Sequence, residues 1–555
     1  MKHISAVLAA LVAASVAATL PAQVKERPIP RLVKKDGRYA LMVDGAPYLM
    51  LGAQTHNSSA WAAMLPKVWP AMELLNVNTV ETPVYWEQFE PRQGQYDHTV
   101  IDALLAGARQ HKVRLVLLWF GTWKNGSQHY MPEWMKLAPD KYPHLIDKNG
   151  HPADSPSPFA AASLEADKTA FTAFMRYLKT ADPQRTVIMV QVENEPGTWG
   201  SVRDYSPAAQ KLFEAPVPAD VLTAMQVKPA SPTVNWQAAF GAEAEVNFHA
   251  WAVAAYVGKV AAAGKAVYSL PLYANAALRD PIKPGAPGSY EAGGPTDNVI
   301  PIWKVAAPAV DIVSPDIYMN DPVAYLKVLE LYHRDDNPLF IPETSGSASV
   351  ARFFFSALGL QAIGFSPFGL DYSAIPSVQP PSPVAPPAPA QAGAPAATPA
   401  TPSAPQDQFA PTAQNYRLIG PMMREVARLN FEGKLQAIAE EKGTPSQTLH
   451  FGEWNATISY GGGRGGRAPA GNAEPTGRAL VAQLAENKFL VAGYFCRVDF
   501  RPTAADKRRQ FMRVDEGIYE YGVFKFIRIL NGDETDYGLN LRAEPVALRV
   551  SLGIY

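Results

Sequence analysis

Two acids and an asparagine, Glu193-Asn194-Glu195, follow the apolar run Val187-Ile188-Met189-Val190-Gln191-Val192 and are closed off by Pro196-Gly197. The run reads as a buried strand, ended where proline cannot donate to a ladder and glycine opens a turn. Charge at the mouth of a hydrophobic strand costs free energy unless something compensates it, which makes these carboxyls candidates for chemistry. A second such acid is Glu343, in Phe340-Ile341-Pro342-Glu343-Thr344. Acetal cleavage needs one carboxylic acid to protonate the leaving oxygen and one carboxylate to attack the anomeric carbon. Glu195 is expected as the acid/base and Glu343 as the nucleophile. Strand alternation puts Glu193 and Glu195 on one side and Asn194 on the other, unless the strand end twists. Glu193 is expected to be a structural acid paired with a basic neighbour inside the fold.

The elements that must position these groups alternate in type. Strand-like runs lie at 48–52, 79–84, 114–119, 187–192, 267–272, 312–317, 339–342 and 362–365, with amphipathic segments such as 101–111, 168–179 and 249–263 between them. Eight strands with helical crossovers predict a (β/α)8 barrel of the TIM type. The rival, an open doubly wound sheet, lacks a glycine-rich phosphate loop after any of these strands. From about residue 445 short β-type runs at 447–451, 479–484, 489–500, 517–530 and 546–551 predict a smaller β-sandwich-like domain.

A barrel collects its reactive groups at the C-terminal ends of its strands. Those ends supply Gln54 and His56, then Glu81, Tyr85, Trp86 and Glu87, then Trp119, Trp123, Lys124 and Asn125. The end of strand six supplies Asp316 and Tyr318, and that of strand eight Asp371. Carboxylates and tryptophans dominate and no metal-binding cluster is evident. Tryptophan faces stack on sugar rings, so glycoside hydrolysis is the expected chemistry, with neither metal nor organic cofactor. Asn194 is placed to bind the sugar 2-hydroxyl and Tyr318 to orient the nucleophile. Trp123, Asn125, Glu81, Glu87, Trp86 and His56 are the remaining candidate sugar contacts.

Several of these segments resemble glycoside hydrolase family 35 β-galactosidases. Asn78-Thr79-Val80, Tyr85-Trp86, Glu90-Pro91, Gly94 and Tyr96-Asp97 are similar to that family's strand-two signature. Gln191-Val192-Glu193-Asn194-Glu195 resembles its strand-four motif, whose second glutamate is the acid/base. Trp123 to Gly126 and Pro132 to Trp134 look like its strand-three loop. The likeness spans about residues 37–200 and implies retaining cleavage of terminal β-galactosides. Departures are Gly121-Thr122, where the family has Ala-Glu with a galactose-gripping glutamate, Pro83 in place of a tyrosine, and Glu87 in place of an asparagine. The resemblance leaves Glu81 or Glu87 to supply the lost sugar contact.

Composition fits this reading. Formal net charge is −1 and hydrophobic content 47%, so nothing marks a nucleic-acid binder. Residues 1–22 read as a secretory signal peptide, with Lys2 and His3 before an Ala/Val/Leu run and Leu20-Pro21-Ala22 at its end; the mature protein is then expected in the periplasm or medium of a bacterium, off the membrane. The single cysteine, Cys496, cannot form an internal disulfide and reads as a packing residue. The expected organisation is a barrel over 23–440, interrupted at 376–411 by a Pro/Ala-rich loop insertion, then a β-rich domain over 441–555. The segment Gly461 to Gly466 reads as a flexible hairpin loop. The expected activity is an exo-β-galactosidase acting on plant oligo- or polysaccharides; alternatives are a galactanase or mannosidase of the same plan and a catalytically inactive carbohydrate-binding barrel.

Overall fold

The computed structural model describes residues 27–228, 231, 233–372, 409–461 and 468–555. The leader at 1–22 and the glycine-rich turn after Gly461 lie outside the described residues, as does the Pro/Ala-rich segment up to residue 408.

Eight strands close a parallel barrel: Met50–Gln54, Thr79–Tyr85, Arg114–Lys124, Val187–Asn194, Leu272–Ala277, Ile312–Ile317, Phe340–Thr344 and Gly364–Pro367, strands one to eight below. Each pairs in parallel with the next and strand eight returns to strand one. Helices such as Thr99–Gln110, Ala161–Ala181 and Pro322–Tyr332 make the crossovers. Val80, Val116, Val190, Ile312 and Ile341 are fully buried, as a sheet covered on both faces requires.

The fifth strand corrects the expectation. Val267 ends the helix Ala244–Val267, and the strand begins only at Leu272. That helix is buried on most of its circumference, by Val253, Tyr256, Val257, Val260 and Ala261 among others, so its sequence lacks the polar stripe that marks a surface helix. The alanine-rich strand itself carries little β-type signal.

Ten strands follow the barrel in two antiparallel sheets. The six-stranded one runs in the order Leu435–Ala439, Arg478–Ala485, Lys488–Tyr494, Ala547–Ile554, Arg509–Glu520, Val523–Ile529; the four-stranded one in the order Ser446–Phe451, Trp454–Ser459, Cys496–Pro502, Leu539–Leu541. The first strand of the β-rich region, Leu435–Ala439, thus starts ahead of residue 441. Alternation divides the large sheet cleanly. Leu480, Ala482, Leu490 and Ala492 pack with the barrel core, whereas Val481, Phe489, Val491 and Val550 pack against the small sheet. Arg478 fastens the junction, donating to Asn415 Oδ1 at 2.7 Å and Gln414 Oε1 at 2.6 Å on the helix Ala410–Ile419. Cys496 is buried; its thiol donates to the Arg478 carbonyl, and burial pushes its pKa up to about 12. Among the described residues no helix is long and apolar enough to cross a membrane.

Candidate active site

The end of strand four is where regular pleating stops. Glu193 (φ 64°) and Glu195 (φ 45°) both adopt the left-handed conformation, which is unfavourable for residues with long side chains and persists only where the surroundings impose it. The surroundings do so through backbone bonds. Asn125 N–H donates to Asn194 O at 3.1 Å and Gly126 N–H to Glu195 O at 3.0 Å, while Glu195 N–H donates to Asn275 Oδ1 at 2.9 Å.

The two glutamates therefore do not share one environment, contrary to the alternation argument. Glu193 is buried against Asp167 of the helix Ala161–Ala181, and its Oε2 accepts from Trp123 N–H at 2.7 Å. Its partner is another acid and not a base, so a proton must be shared between them. Burial and the Asp167 charge hold the Glu193 pKa well above the carboxylate range.

Glu195 turns into the barrel mouth, where one oxygen each of Glu195, Asp316 and Glu343 lie within 4.8 Å of one another. Asp316 and Glu343 are register neighbours on strands six and seven. Glu343 Oε1 accepts from the Tyr318 hydroxyl at 2.7 Å and Oε2 from Gln54 Nε2 at 2.9 Å. Asp316 Oδ2 accepts from Asn275 Nδ2 at 2.5 Å. Three acids so close could in principle reach one cation. However, donor hydrogens already face both oxygens of Glu343 and one of Asp316, and no described histidine or cysteine joins them. The arrangement suits protons shared among carboxyls.

Burial and charge set those protons. Glu195, 9% exposed, has its pKa pushed up to about 7, by burial first and the Glu343 charge second, with the Lys124 ammonium pulling it back. Asp316, 3% exposed, is raised well above its ordinary range by burial and by both neighbouring glutamates. Burial and the Glu343 charge likewise raise the Tyr318 hydroxyl, which keeps it a donor.

The remaining candidates separate. Asn194 is buried, and neither its Oδ1 nor its Nδ2 has a hydrogen-bond partner. His56 sits on the loop after strand one, with its N–H 2.8 Å from Asp371 Oδ2 and its Nδ1 3.2 Å from Asp371 Oδ1. Asn125 is exposed, and its side-chain oxygen accepts from the Lys124 ammonium.

Four candidates face elsewhere. Trp86 is fully buried, donates to Glu90 Oε2 at 2.8 Å and packs on Trp119. Trp123 is buried edge-on against Tyr256, so neither indole offers a sugar-binding face. Glu87 pairs with Lys136 at 3.0 Å on the surface. Glu81 is fully enclosed inside the barrel, accepts from Tyr273 OH at 3.1 Å and is pushed up to about 8 by burial. Glu81 is closed to a sugar, and Glu87 is exposed but engaged by Lys136. Thr122 is no pocket residue either; its hydroxyl donates to Asp167 Oδ2 at 2.6 Å. The tryptophans with free faces on loops after the strands are Trp61, 44% exposed and stacked on Tyr85, and Trp199, 52% exposed, four residues beyond Glu195.

Asn275 was hidden by the misphased fifth strand; a strand begun at Leu272 puts it near the C-terminal end. Glu291 carried no signal. It lies on the loop after strand five, buried beside Glu195 and Lys124, with neither oxygen in a hydrogen bond of normal geometry.

Residues 58–256 match a family model described as β-galactosidase, of glycosyl hydrolase family 42, and residues 412–542 match a domain of unknown function, DUF5597. The first match names a different family from the one the motifs resemble. No curated protein sequence matches the chain. Similar solved structures include the β-amylase catalytic domain of Paenibacillus polymyxa, with 12% identity, 57% of this chain and 91% of that one covered, and a TM-score of 0.42. A β-galactosidase of Bacillus circulans sp. alkalophilus has 14% identity, 57% and 50% coverage and a TM-score of 0.42. An exo-β-1,4-mannosidase of Opitutaceae bacterium strain TAV5 has 16% identity, 60% and 54% coverage and a TM-score of 0.38. The chain spans about half the length of the last two. The family match over strands two to four, which contain the Asn194-Glu195 motif, makes this chain a glycoside hydrolase built on a parallel eight-stranded barrel.

Proposed function

We propose that the enzyme is an exported, retaining β-glycosidase that removes terminal β-galactosyl residues from plant-type oligo- or polysaccharides. The observation that carries the reading is the Glu195–Glu343 approach, within 4.8 Å between carboxyl oxygens. Retention is associated with carboxyls about 5–5.5 Å apart and inversion with about 6.5–9.5 Å, which leaves room for a water. The galactose preference draws on the description of the matching family model, and export on residues 1–22.

In the first step a Glu343 oxygen bonds to the anomeric carbon as the glycosidic C–O bond breaks, and the Glu195 proton passes to the departing oxygen. In the second, water attacks the same carbon, its proton goes to Glu195, and the bond to Glu343 breaks. Tyr318 and Gln54 hold the nucleophile at both oxygens, and Asn194 offers an unpartnered amide to the sugar.

Nitrophenyl β-galactoside assayed beside the mannoside, the glucoside and an unbranched galactan tests the substrate. Turnover of the mannoside or galactan in preference to the galactoside overturns the galactose assignment. Glu343→Gly should abolish turnover, and azide should restore it with an inverted glycosyl azide as product. Glu195→Ala should spare substrates with good leaving groups, which need little proton assistance. Equal losses on all leaving groups would remove Glu195 from the acid role.

A further inference from the structure

The two-carboxylate mechanism has no part for the third carboxyl. Asp316 touches both partners' space, its Oδ2 is taken by Asn275 Nδ2, and its Oδ1 is buried with no donor to meet it. Asn275 also accepts Glu195 N–H, so one amide ties the backbone of the acid/base to the carboxyl of Asp316. The titratable groups facing Asp316 are Glu195 from strand four, Tyr273 from strand five, Tyr318 beyond strand six, Glu343 from strand seven and Tyr332 of the helix Pro322–Tyr332; no cation is among them. A second or third negative charge in this enclosed space has only the Lys124 ammonium to set against it, and that cation already faces Glu195 and the buried Glu291. A carboxyl with a proton on Oδ1 turns the orphaned acceptor into a donor, and an oxygen of each glutamate lies within 4.8 Å of an oxygen of Asp316.

Resting on the glycosidase reading above, we propose that Asp316 is a protonated positioning residue whose O–H donates to whichever of Glu343 and Glu195 bears the charge. In the free enzyme the cluster holds protons on Glu195 and Asp316 and one charge, on Glu343. Once Glu343 is esterified and Glu195 has released its proton to the leaving oxygen, the cluster again holds one charge, now on Glu195. Asp316 keeps its proton throughout and rotates its O–H from one acceptor to the other. Hydrogen bonds to charged acceptors are the strong ones, so each half-reaction is offered a donor where its charge sits. The exchange between Glu343 and Glu195 keeps one charge in the site over the cycle, and the Asp316 O–H follows that charge from one carboxylate to the other.

Asp316→Asn and Asp316→Ala separate this role from packing. The amide can accept from Asn275 through its oxygen and donate through its nitrogen. Asp316→Asn should therefore keep kcat/KM within about fivefold of the wild type and leave the alkaline limb of its pH profile in place. Asp316→Ala has no donor; kcat should fall at least about tenfold and the alkaline limb should move up or stay. An alkaline limb lowered by about a unit or more in Asp316→Asn means a charge was removed and overturns the proposal. So do equal losses in both variants, or no loss in Asp316→Ala. If Asp316→Ala does not fold, the position of the limb in Asp316→Asn decides alone. An inactive wild type, or a wild type indifferent to Glu195→Ala and Glu343→Gly, would instead refute the glycosidase reading.

Discussion

Replacing the nucleophile should lower the pKa of the acid/base. At the 4.8 Å upper limit of the Glu195–Glu343 oxygen separation, two unit charges interact by about 3.5 kcal/mol at an effective dielectric constant of about 20. At about 1.36 kcal/mol per pKa unit that is about 2.5 units. The full rise of Glu195, from 4.5 to about 7, is of the same size, yet burial is its larger cause and Lys124 acts against both. The share owed to Glu343 is therefore smaller than the bare Coulomb figure, about 1–2 units. Glu343→Gln keeps the shape and the burial and removes only the charge. Carbon-13 NMR of enzyme labelled at glutamate carboxyls, with Glu195 assigned by loss of its resonance in Glu195→Gln, reads the titration directly. The expected result is a Glu195 midpoint near pH 7 in the wild type and about 1–2 units lower in Glu343→Gln. Lys124→Met should move it upward, because a cation that favours the charged form has gone. A Glu195 midpoint unchanged by Glu343→Gln would refute the electrostatic coupling, and with it the shared cavity.

Other consequences are simpler to measure. Activity should fall as pH rises through about 7, because Glu195 must hold its proton to act as an acid; a kcat/KM profile flat to pH 9 would contradict this. Tyr318→Phe removes the 2.7 Å bond to Glu343 Oε1; kcat should drop about 10- to 100-fold, as for a hydrogen bond to a charged group, with the melting temperature little changed. Trp86→Phe should lower the melting temperature and leave KM unchanged, since the indole is buried and bonded to Glu90; a raised KM would restore Trp86 as a sugar contact.

Much of this arrangement could be read from the chain, and each failure has a physical cause. Runs such as Val187–Val192 announced strands because both sheet faces are buried. Glu343 and Tyr318 followed from the rule that barrel chemistry sits at strand C-termini. The strand-five error arose where a helix buried on most sides borders a weak alanine-rich strand. Glu193 is the buried structural acid expected, but it does not share a face with Glu195, because left-handed φ values at 193 and 195 cancel the two-residue period, and its neighbour is Asp167, not a base. In the C-terminal region the run 489–500 splits at Phe495 (φ 53°), and 517–530 folds back through Tyr521-Gly522. Trp86 and Trp123 illustrate the limit of residue type: an indole at a strand end stacks on a sugar only if its face is open, and tertiary packing decides that.

The most direct test is chemical trapping. Enzyme incubated with a dinitrophenyl 2-deoxy-2-fluoro-β-galactoside, digested and mapped by mass spectrometry, should carry one sugar on Glu343, in the peptide containing Phe340-Ile341-Pro342-Glu343-Thr344. A sugar found on Glu195 or Asp316, or enzyme that turns over its substrate yet never becomes labelled, would contradict the assignment of Glu343 as the nucleophile.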